Sequence, residues 1–544
     1  MQRAVLIRWA SAVAISLAAC GGSMGRFPNQ APMTVDPDTR AFLPHPEIYE
    51  SREVWDSVDN TFFRPLLDVL AVRQQTRAAN VTALDEVADS SWFHNRIDRV
   101  SEDLAAFVRG ACDDEAPDPA GPWTIVSGRP DDATPGFIIE HATGQRYFFK
   151  PDGGGQGERP SVADLVGSRV YAAAGFNTAC ARVVYIPTSA FLIASDAAAE
   201  NFIGAKVPFT AAMLRRALAY GLKDVTGAVR GNLSQLLPGT PLGPWRDFGV
   251  RPDDPNDVIP HEDRRELRGS YVFGAWIGHY DAREQNSMDI WDAPSLDAPG
   301  YVKHYQVDFD DCLGALSNRD RVSRRRGHAH EVEWSTAFEE LVTLGFLPRP
   351  WRNPRLSRAG ATLGYFTAES FTPDRYRTGY GYGPYTRVTE DDAAWGARIL
   401  ARITPEMVIA LVQSAKIATP LVERELVTAL LGRREKLLAR YLTRLSPLAR
   451  PRIDETGRLC VVDARLEGGM AVAGKVTAHV LGATGALPTT PGTVGAELCV
   501  GPIATGGDGY VVVELRADAT GPLRVHLDRI GDGYRVVGLE RGEP

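Results

Sequence analysis

The spacing of apolar and polar residues changes along the chain, and these changes divide the chain into regions that predict strands and regions that predict helices. From Trp123 onward, short β-type runs alternate with turn residues, as in "WTIVSG", "GFIIEH" and "RYFFKPD", which predicts a meander of strands. One helical run follows, and then two further strand-like runs, "ARVVYIP" and "AFLIAS". Between residues 205 and 447 apolar residues recur mainly at three- and four-residue spacing, which indicates helices, with one strand pair among them.

After Pro447 the composition shifts to Gly, Val, Thr and Ala, with evenly spaced β-type runs, a pattern typical of a small β-sandwich. The sequence therefore predicts an α+β protein with a small β-rich lobe, a larger helical lobe and a C-terminal all-β domain of the sandwich type. The predicted boundaries are 1–19 for a signal peptide, 20–45 for a tether, 46–122 for a mostly helical extension, 123–204 for the small lobe, 205–447 for the helical lobe and 448–544 for the C-terminal domain.

The first twenty residues have the pattern of an export signal. Arg3 and Arg8 precede an apolar stretch that ends in "LAAC", and this stretch is too short for a lasting membrane span. The ending resembles a bacterial lipobox, which implies that Cys20 becomes the lipidated first residue of the mature chain. The implied location is the bacterial cell envelope, at the outer membrane, with the lipid as the membrane contact. A simply cleaved, secreted protein is the alternative.

The net charge limits the classes of binding partner, and the cysteines indicate a possible disulfide. The chain is 44% hydrophobic and 24% charged, with a formal net charge of -8, so it lacks the basic surface that nucleic-acid binding needs. An exported chain meets oxidising conditions, in which cysteines can pair. Cys460 and Cys499 both lie in strand-like runs and are the predicted bridge.

Three polar segments carry the candidate chemistry, and they occur in an informative order. Lys150 ends the third strand, Asp281 and Asn286 share the loop "GHYDAREQNSMDIW", and Asp308 opens "DFDDCLG". Phosphoryl transfer needs a Lys for phosphates, an acid to orient or deprotonate the attacking hydroxyl, and oxygen ligands for Mg²⁺. Each residue alone has an ordinary explanation, as a strand end, a polar loop or a turn. Together, in this order and between two lobes, they favour a catalytic site.

The same segments resemble a known family. His279, Asp281 and Asn286 match the H-x-D-x₄-N catalytic loop of protein kinases, and "VDFDDCLG" resembles their metal-binding "DFG" segment. The longer run "HYQVDFDDCLG" is closer still to phosphatidylinositol-type kinases. Over about residues 80–445 the chain also resembles uncharacterised, exported bacterial lipoproteins with a kinase-like domain.

This resemblance implies a bilobal kinase-like fold, ATP or another nucleotide with Mg²⁺ as cofactors, and a role for each matched residue. Lys150 would bind the nucleotide phosphates, and Asn286 and Asp308 would be the Mg²⁺ ligands. Asp281 would be the catalytic base, and His279, which opens the same loop, would be a second catalytic residue. Kinases place an acid that orients the Lys on the helix after its strand, and Asp164 lies there. A capping box with Ser161 explains Asp164 equally well.

Two features depart from the kinase pattern. The segment "SGRPDDATPG" lacks the glycine-rich phosphate motif, and its Asp131 and Asp132 would place negative charge near phosphates. Asp310 replaces the Gly of "DFG". Because Asp tolerates positive φ better than most side chains, the turn is expected to survive, but Asp310 could also add a metal ligand or disable the site.

The function therefore has three candidate forms. The first is a lipid-anchored kinase-like phosphotransferase that acts on an unknown protein or small molecule. The second is a catalytically silent kinase fold that serves as a surface binding module, and the third is an AMP transferase using the same residues. The basic segment "RVSRRRGHAHEVEW", residues 321–334, lies where kinases receive substrate. It could meet an acidic or phosphorylated partner, ligate a metal through His328, His330 and Glu331, or be a solvated loop.

Overall fold

A computed structural model gives the structure of the chain. It describes residues 25–28, 38–49, 58–66, 76–112, 115–130, 135–200, 205–314, 320–492, 495–504 and 508–544. The predicted lipidation site at Cys20 and the acidic pair Asp131 and Asp132 lie outside these ranges. No helix within them is long and apolar enough to cross a membrane.

The helices and strands are named here in chain order. The strands are β1 (Trp123–Arg129), β2 (Gly136–His141), β3 (Arg146–Pro151), β4 (Asn177–Thr178), β5 (Ala181–Ile186), β6 (Phe191–Glu200), β7 (Lys206–Pro208), β8 (Val229–Gln235), β9 (Thr240–Gly243), β10 (Ser287–Asp292), β11 (Tyr301–Gln306), β12 (Leu448–Ile453), β13 (Leu459–Asp463), β14 (Val476–Val480), β15 (Thr489–Pro491), β16 (Glu497–Val500), β17 (Tyr510–Ala517), β18 (Leu523–Ile530) and β19 (Gly533–Arg541). The α-helices are α1 (Ile97–Val100), α2 (Leu104–Arg109), α3 (Arg159–Ala174), α4 (Ala211–Tyr220), α5 (Arg265–Ile277), α6 (Asp320–Arg325), α7 (Trp334–Val342), α8 (Gly383–Thr386), α9 (Glu390–Ala401), α10 (Pro405–Ser414), α11 (Pro420–Tyr441) and α12 (Ala464–Glu467). Other helical turns are Asp59–Phe63, Thr188–Ala190, His261–Asp263, Glu284–Asn286, Gly360–Thr362 and Pro373–Arg375.

A seven-stranded sheet forms the small lobe, in the order β5-β8-β3-β2-β1-β6-β7. Its pairs are antiparallel except β1 with β6. All five predicted strands are present, and helix α3 is inserted between β3 and β5, as expected. The sheet also takes in β8, which comes from beyond the predicted limit of this lobe at residue 204. Strand β8 pairs with β3 so that Asn232 lies opposite Lys150.

A second, four-stranded sheet has the order β4-β11-β10-β9 and carries the predicted strand pair. Strands β10 and β11 form a hairpin in which Ser287 is opposite Gln306. The backbone N–H of Val307 donates to the carbonyl of Asn286 at 3.1 Å. The hairpin register therefore brings the loop that ends at Asn286 beside the segment that opens at Asp308.

Helix α5 is the centre of the helical lobe, and all of its residues are buried. It packs closely on α9, where a Cβ at Gly396 would lie 2.6 Å from the carbonyl oxygen of Gly269. Glycines at this crossing allow the two backbones to approach. The helix ends at Gly278, whose φ of +68° is left-handed and suits a helix C-terminus. The chain then turns into the loop of residues 279–286.

The described part of residues 46–122 differs from the predicted mostly helical extension. It contains a helical turn at Asp59–Phe63 and the short helices α1 and α2, and the rest is irregular. Its aromatic residues pack into the core of the main domain instead of forming one of their own. Trp92 stacks on His304 with ring centroids 3.5 Å apart, and Phe93 contacts Phe176.

The C-terminal domain consists of two four-stranded antiparallel sheets, β12-β13-β16-β15 and β14-β17-β18-β19. Residues of both sheets, such as Val461 and Val513, share one hydrophobic core. The predicted bridge between Cys460 and Cys499 is present and joins β13 to β16. A second disulfide, between Cys112 and Cys180, was not predicted.

Candidate active site

The structure brings Lys150 and Asp308 together across the space between the small lobe and the β10–β11 hairpin. Lys150 Nζ lies 2.7 Å from Asp308 Oδ1 and 3.0 Å from Asp310 Oδ2. Only 13% of the Lys150 side chain is exposed, whereas 40% of the Asp308 side chain is. The Asp308 carboxylate thus remains accessible to a ligand from solvent.

The charges of this group are strongly coupled. Burial by itself lowers the pKa of Lys150, but the carboxylates of Asp308 and Asp310 outweigh it, and the net pKa is well above the usual value. Burial and then the nearby Asp310 raise the pKa of Asp308. For Asp310, the Lys150 ammonium outweighs burial, and the pKa is lowered. Lys150 and Asp310 therefore form the firmly ionised part of the group.

The "DFDDCLG" turn is built differently from the sequence-based expectation. Within residues 307–314 the non-glycine residues with positive φ are Asp308, at 58°, and Leu313, at 60°. The tolerance of Asp for the left-handed region is thus used at Asp308 and not at Asp310. Asp310 instead turns its side chain to Lys150, where it competes with Asp308 for the same ammonium group.

Asp164 holds the segment that opens at Asp308 in place. Its Oδ1 accepts the backbone N–H of Phe309 at 2.7 Å, and its Oδ2 accepts the side-chain amide of Asn232 at 2.7 Å. Burial raises the pKa of Asp164 to about 8, although Lys150 opposes the shift. The ion pairs of Lys150 are with the two acids of the turn, so Asp164 acts on the turn more directly than on Lys150.

The predicted capping box of Ser161 with Asp164 is wrong. Helix α3 begins three residues earlier than this capping box requires, at Arg159, with Glu158 as its N-cap residue. Ser161 lies inside the first turn and donates its hydroxyl to Asp152 at 2.6 Å. The helix starts early because the chain before it is tied down: the Glu158 carboxylate accepts the N–H of Ala418 at 3.0 Å.

The loop of residues 279–286 fixes the carboxylate of Asp281 from several sides. The Asn286 amide donates to Asp281 Oδ2 at 3.2 Å and to its carbonyl at 2.8 Å. Arg283 Nε lies 2.8 Å from Asp281 Oδ1. The backbone N–H of Asp281 donates to Asp311 Oδ2 at 2.6 Å. Asp281 is therefore held in position while part of its side chain stays exposed.

Asp281 has a pKa suited to proton transfer near neutral pH. Burial raises the pKa of its carboxyl to about 6, Arg283 opposes this shift, and repulsion from Asp308 adds to it. General bases work best when their pKa lies near the operating pH.

His279, the first residue of the matched kinase loop, lies behind the site. Its ring is 1% exposed and packs against Phe309, with ring centroids 5.1 Å apart. Nδ1 is 3.2 Å from the hydroxyl of Tyr171, and the hydroxyl of Tyr376 donates to the His279 carbonyl. Burial lowers the pKa of His279 to about 3, so the ring is neutral.

A cavity of about 390 Å³ opens next to Lys150. Its lining contains apolar side chains, called here the apolar wall, and the polar residues Lys150, Asp164, Asn232 and Asp308. The Oδ1 atom of Asn232 is buried and has no hydrogen-bond partner among the residues that the structure describes. The apolar wall includes Phe148, Leu237, Met288 and Ile290.

Arg159 is a site residue that the sequence did not reveal. Its Nη1 donates to the carbonyls of Asp310 and Cys312, both at 2.7 Å. It thereby braces the "DFDDCLG" turn from the first residue of α3. A long-range contact from an arginine to backbone carbonyls leaves no periodic signal in the sequence.

The basic segment of residues 321–334 is only partly a loop. Helix α6 reaches Arg325, and the Arg326 guanidinium lies 4.8 Å from the ring centroid of Tyr280, next to the loop of Asp281. In the described part of the chain, the clusters of potential metal ligands are His279 with Asp311 and Cys312, and Asp454 with Cys460 and Cys499. The alternative of a metal held by His328, His330 and Glu331 is not among them.

Comparison with known proteins gives little beyond the geometry. No family model matches the chain, and no curated protein matches it. A solved structure of the Golgi casein kinase is similar at 11% identity and a TM-score of 0.23, covering 77% of this chain and 97% of that one. A second structure of that kinase, with Mn/ADP bound, gives 11% identity and a TM-score of 0.23, with 74% and 94% covered. A TM-score of 0.23 is too low to assign a function.

Proposed function

We propose that this protein is a kinase-like phosphotransferase that uses ATP or another nucleotide with Mg²⁺. The observation that carries the proposal is the ion pair of Lys150 with Asp308, 2.7 Å long, in the lining of a cavity with an apolar wall. Phosphoryl transfer depends on positioning and charge stabilisation, and this arrangement offers a cation and a carboxylate beside one cavity. Asp281, in the loop next to the segment that opens at Asp308, would supply the base. The sequence resemblance to kinases agrees with the same residues.

The cavity fits a nucleotide. Its volume of about 390 Å³ falls in the range of small-molecule pockets, which run from about 300 to 1,000 Å³. A nucleobase would lie against apolar side chains such as Phe148 and Ile290. Lys150 would bind its phosphates as a compact positive charge.

The donor set fits Mg²⁺. Asp308 and Asn286 offer carboxylate and amide oxygens, the hard ligands that this ion takes, and the hairpin register holds them side by side. Bound Mg²⁺ neutralises negative charge on the phosphoryl group that is transferred. Asp310 stays paired with Lys150 and keeps that side chain in the cleft.

Asp281 would accept the proton of the attacking hydroxyl. Asn286, Arg283 and the N–H contact with Asp311 orient its carboxylate. Its raised pKa of about 6 makes it a stronger base than a solvent-exposed aspartate, yet leaves it ionised at pH 7. The substrate is a protein or small molecule with a hydroxyl group.

The anchoring of the protein is part of the same proposal. A lipid on Cys20 and a tether over residues 20–45 would hold the domain at the bacterial cell envelope, on the outer membrane. This rests on the lipobox-like "LAAC" and the Gly/Pro-rich stretch after it. Palmitate labelling of cells expressing the protein, compared with its Cys20→Ser variant, tests it. Equal labelling of the two would contradict it.

The transfer reaction is tested with the purified chain, ATP labelled at the γ-phosphate, Mg²⁺ or Mn²⁺, and a panel of acceptor proteins and small molecules. Label should move to an acceptor or to the chain itself. Asp281→Asn and Asp308→Asn should each lower the rate by about 100-fold or more, the usual size of a lost acid–base or charge contribution. Asp297→Asn, at an exposed position of the hairpin loop, is the matched control.

A silent, nucleotide-binding module is the second candidate, favoured by one observation. Asp310 and Asp308 both hold the Lys150 ammonium, which leaves it less free for phosphate. In that case nucleotide and Mg²⁺ would raise the midpoint of thermal unfolding without any transfer of label.

ATP labelled at the α-phosphate distinguishes an AMP transferase from a kinase, because only transfer of the adenylyl group would carry this label to the acceptor. No transfer and no thermal shift with any nucleotide would overturn both transferase forms and nucleotide binding by the silent module.

A further inference from the structure

Three side chains with metal-binding chemistry meet directly behind the loop of Asp281. One nitrogen of His279, one carboxylate oxygen of Asp311 and the sulfur of Cys312 all lie within 4.8 Å of one another. His279 and Cys312 are buried, and Asp311 is partly exposed, which gives an ion a way in. We propose that these residues form a site for Zn²⁺ or a similar divalent transition metal, separate from the Mg²⁺ site of Asp308 and Asn286.

The imidazole of His279 provides the first argument. Its Nε2 is buried and has no hydrogen-bond partner among the described residues, and a buried polar atom without a partner calls for an explanation. The Tyr171 hydroxyl, 3.2 Å from Nδ1, can accept the proton of that nitrogen. Nε2 then carries a lone pair, the form in which histidine binds metals.

Cys312 provides the second argument. It is the free cysteine of the described chain and is fully buried, and its Sγ lies 3.9 Å from Asp311 Oδ1. Imidazole, thiolate and carboxylate are the ligands that Zn²⁺ takes, whereas Mg²⁺ takes oxygen ligands. On binding, the S–H bond breaks, an S–metal bond forms and the proton leaves to solvent. The charges of thiolate and carboxylate then balance the two positive charges of the ion.

Asp311 connects this site to the candidate base. Its Oδ1 faces Cys312, while its Oδ2 accepts the backbone N–H of Asp281 at 2.6 Å. A metal on Oδ1 would fix the carboxylate and, through Oδ2, the backbone of Asp281. A metal ligand and the group hydrogen-bonded to it hold each other in a fixed orientation. An ion in this site would therefore hold the loop of residues 279–286 in one conformation.

The other ligand cluster does not offer the same chemistry. Asp454 lies near Cys460 and Cys499, but these cysteines are joined in a disulfide, so neither sulfur is available as a thiolate. The site at His279 is therefore the one that combines a free thiol with an unpartnered imidazole nitrogen.

The decisive measurement uses the wild-type chain. The protein is stripped with a chelator and dialysed, and Co²⁺ is added as a spectroscopic stand-in for Zn²⁺. One equivalent should produce a thiolate-to-cobalt charge-transfer absorption, and one equivalent of Zn²⁺ should abolish it. Folded protein that shows no such absorption, or binds no Zn²⁺ at micromolar free concentration, would overturn the proposal without any variant.

Variants then locate the ion. Cys312→Ala and His279→Gln should each weaken Zn²⁺ binding at least 100-fold in a competition with a metal-sensitive dye. Asp308→Asn, which alters the proposed Mg²⁺ site, and His328→Ala, which removes a histidine outside the cluster, should leave the affinity unchanged. Equal loss in Asp308→Asn, or full retention in both ligand variants, would contradict the assignment. Circular dichroism checks that each variant is folded, and the cobalt spectrum of the wild type decides if the ligand variants are not.

Discussion

Asp164 accepts the backbone N–H of Phe309, with 2.7 Å between Oδ1 and N. This contact ties helix α3 to the segment that opens at Asp308. Because the other oxygen of Asp164 accepts the amide of Asn232, the carboxyl also joins that segment to strand β8. A single buried side chain thus sets the position of the proposed metal ligand relative to the small lobe.

The buried carboxyl of Asp164 should make stability depend on pH. Its pKa is about 8 in the folded chain and about 3.9 in an unfolded one. Between these values the folded state holds more protons than the unfolded state, so the free energy of unfolding falls as pH rises from about 4 to about 8. One group contributes at most about 1.4 kcal/mol per pH unit.

Asp164→Asn removes this contribution while keeping an oxygen for Phe309. Thermal unfolding between pH 5 and pH 8 should show a smaller loss of stability with rising pH in the variant than in the wild type. Asp297→Asn, at an exposed position, should follow the wild type. Parallel curves for the wild type and Asp164→Asn would show that Asp164 does not titrate in this range.

Asp281 should give the transfer reaction a defined pH profile. The carboxylate is the active form of a base, and burial raises its pKa to about 6. Below about pH 6 the value of kcat/KM should therefore rise about tenfold per pH unit, and above it the rate should level off. Arg283, 2.8 Å from Asp281, opposes the rise in pKa.

Arg283→Gln should consequently move the inflection of this profile to higher pH, because the opposing positive charge is gone. The measurement is kcat/KM between pH 5 and pH 8.5 for both proteins. An inflection at the same pH in Arg283→Gln would mean that another group than Asp281 limits the rate.

The sequence was most informative where neighbours along the chain determine the structure. The order of Lys150, Asp281, Asn286 and Asp308, together with the resemblance to kinases, predicts that these residues meet in one cleft. The structure pairs Lys150 with Asp308 and Asn286 with Asp281. The two-residue period of a strand fixes which side chains share a face of the sheet. The ion pairs of Lys150, by contrast, depend on which acidic side chain reaches its ammonium group. Asp310 was expected to take the positive-φ position of the turn, which Asp308 takes instead.

Contacts from distant parts of the chain could not be predicted in the same way. Strand β8, "VRGNLSQ", has no alternation of apolar and polar residues, and it becomes a strand because it lies between β3 and β5. Strand propensity is weak evidence against such context. The same holds for Arg159, whose role depends on two carbonyls more than 150 residues away in the chain.

Gly167 should be essential for the geometry of the turn at Asp308. An alanine normally stabilises a helix interior relative to glycine by about 1 kcal/mol, but a Cβ here would lie 2.5 Å from Phe309 Cγ. Phe309 would have to move, and the backbone of Asp308 with it. Gly167→Ala should therefore lose most transferase activity and unfold at a lower temperature. Gly533→Ala, with nothing closer than 4.0 Å, is the control, and normal activity in Gly167→Ala would contradict the packing argument.

Arg230 should be the main polar link between the two lobes. It is 1% exposed on strand β8, its Nε lies 2.9 Å from Asp152 Oδ2, and its Nη atoms donate to the carbonyls of Lys416 and Ala415 at 3.0 and 2.9 Å. Removing one partner of a buried ion pair costs about 3–5 kcal/mol. Arg230→Met should lower the stability by that order, because it leaves the Asp152 carboxylate without its positive partner and two carbonyls without their donor.

Asp152 decides how much of this loss comes from the unpaired charge. Burial raises its pKa to about 6 although Arg230 opposes the shift, so in Arg230→Met the pKa would rise further, and the ionised carboxylate would lack its positive partner. The double variant Arg230→Met/Asp152→Asn should recover part of the lost stability at pH 7, and Arg230→Met alone should recover part of it at pH 5, where the carboxyl is protonated. Urea unfolding of the wild type, the two single variants Arg230→Met and Asp152→Asn, and the double variant, at both pH values, gives the coupling energy between Arg230 and Asp152. Purely additive effects would show that Arg230 acts through contacts other than the one with Asp152.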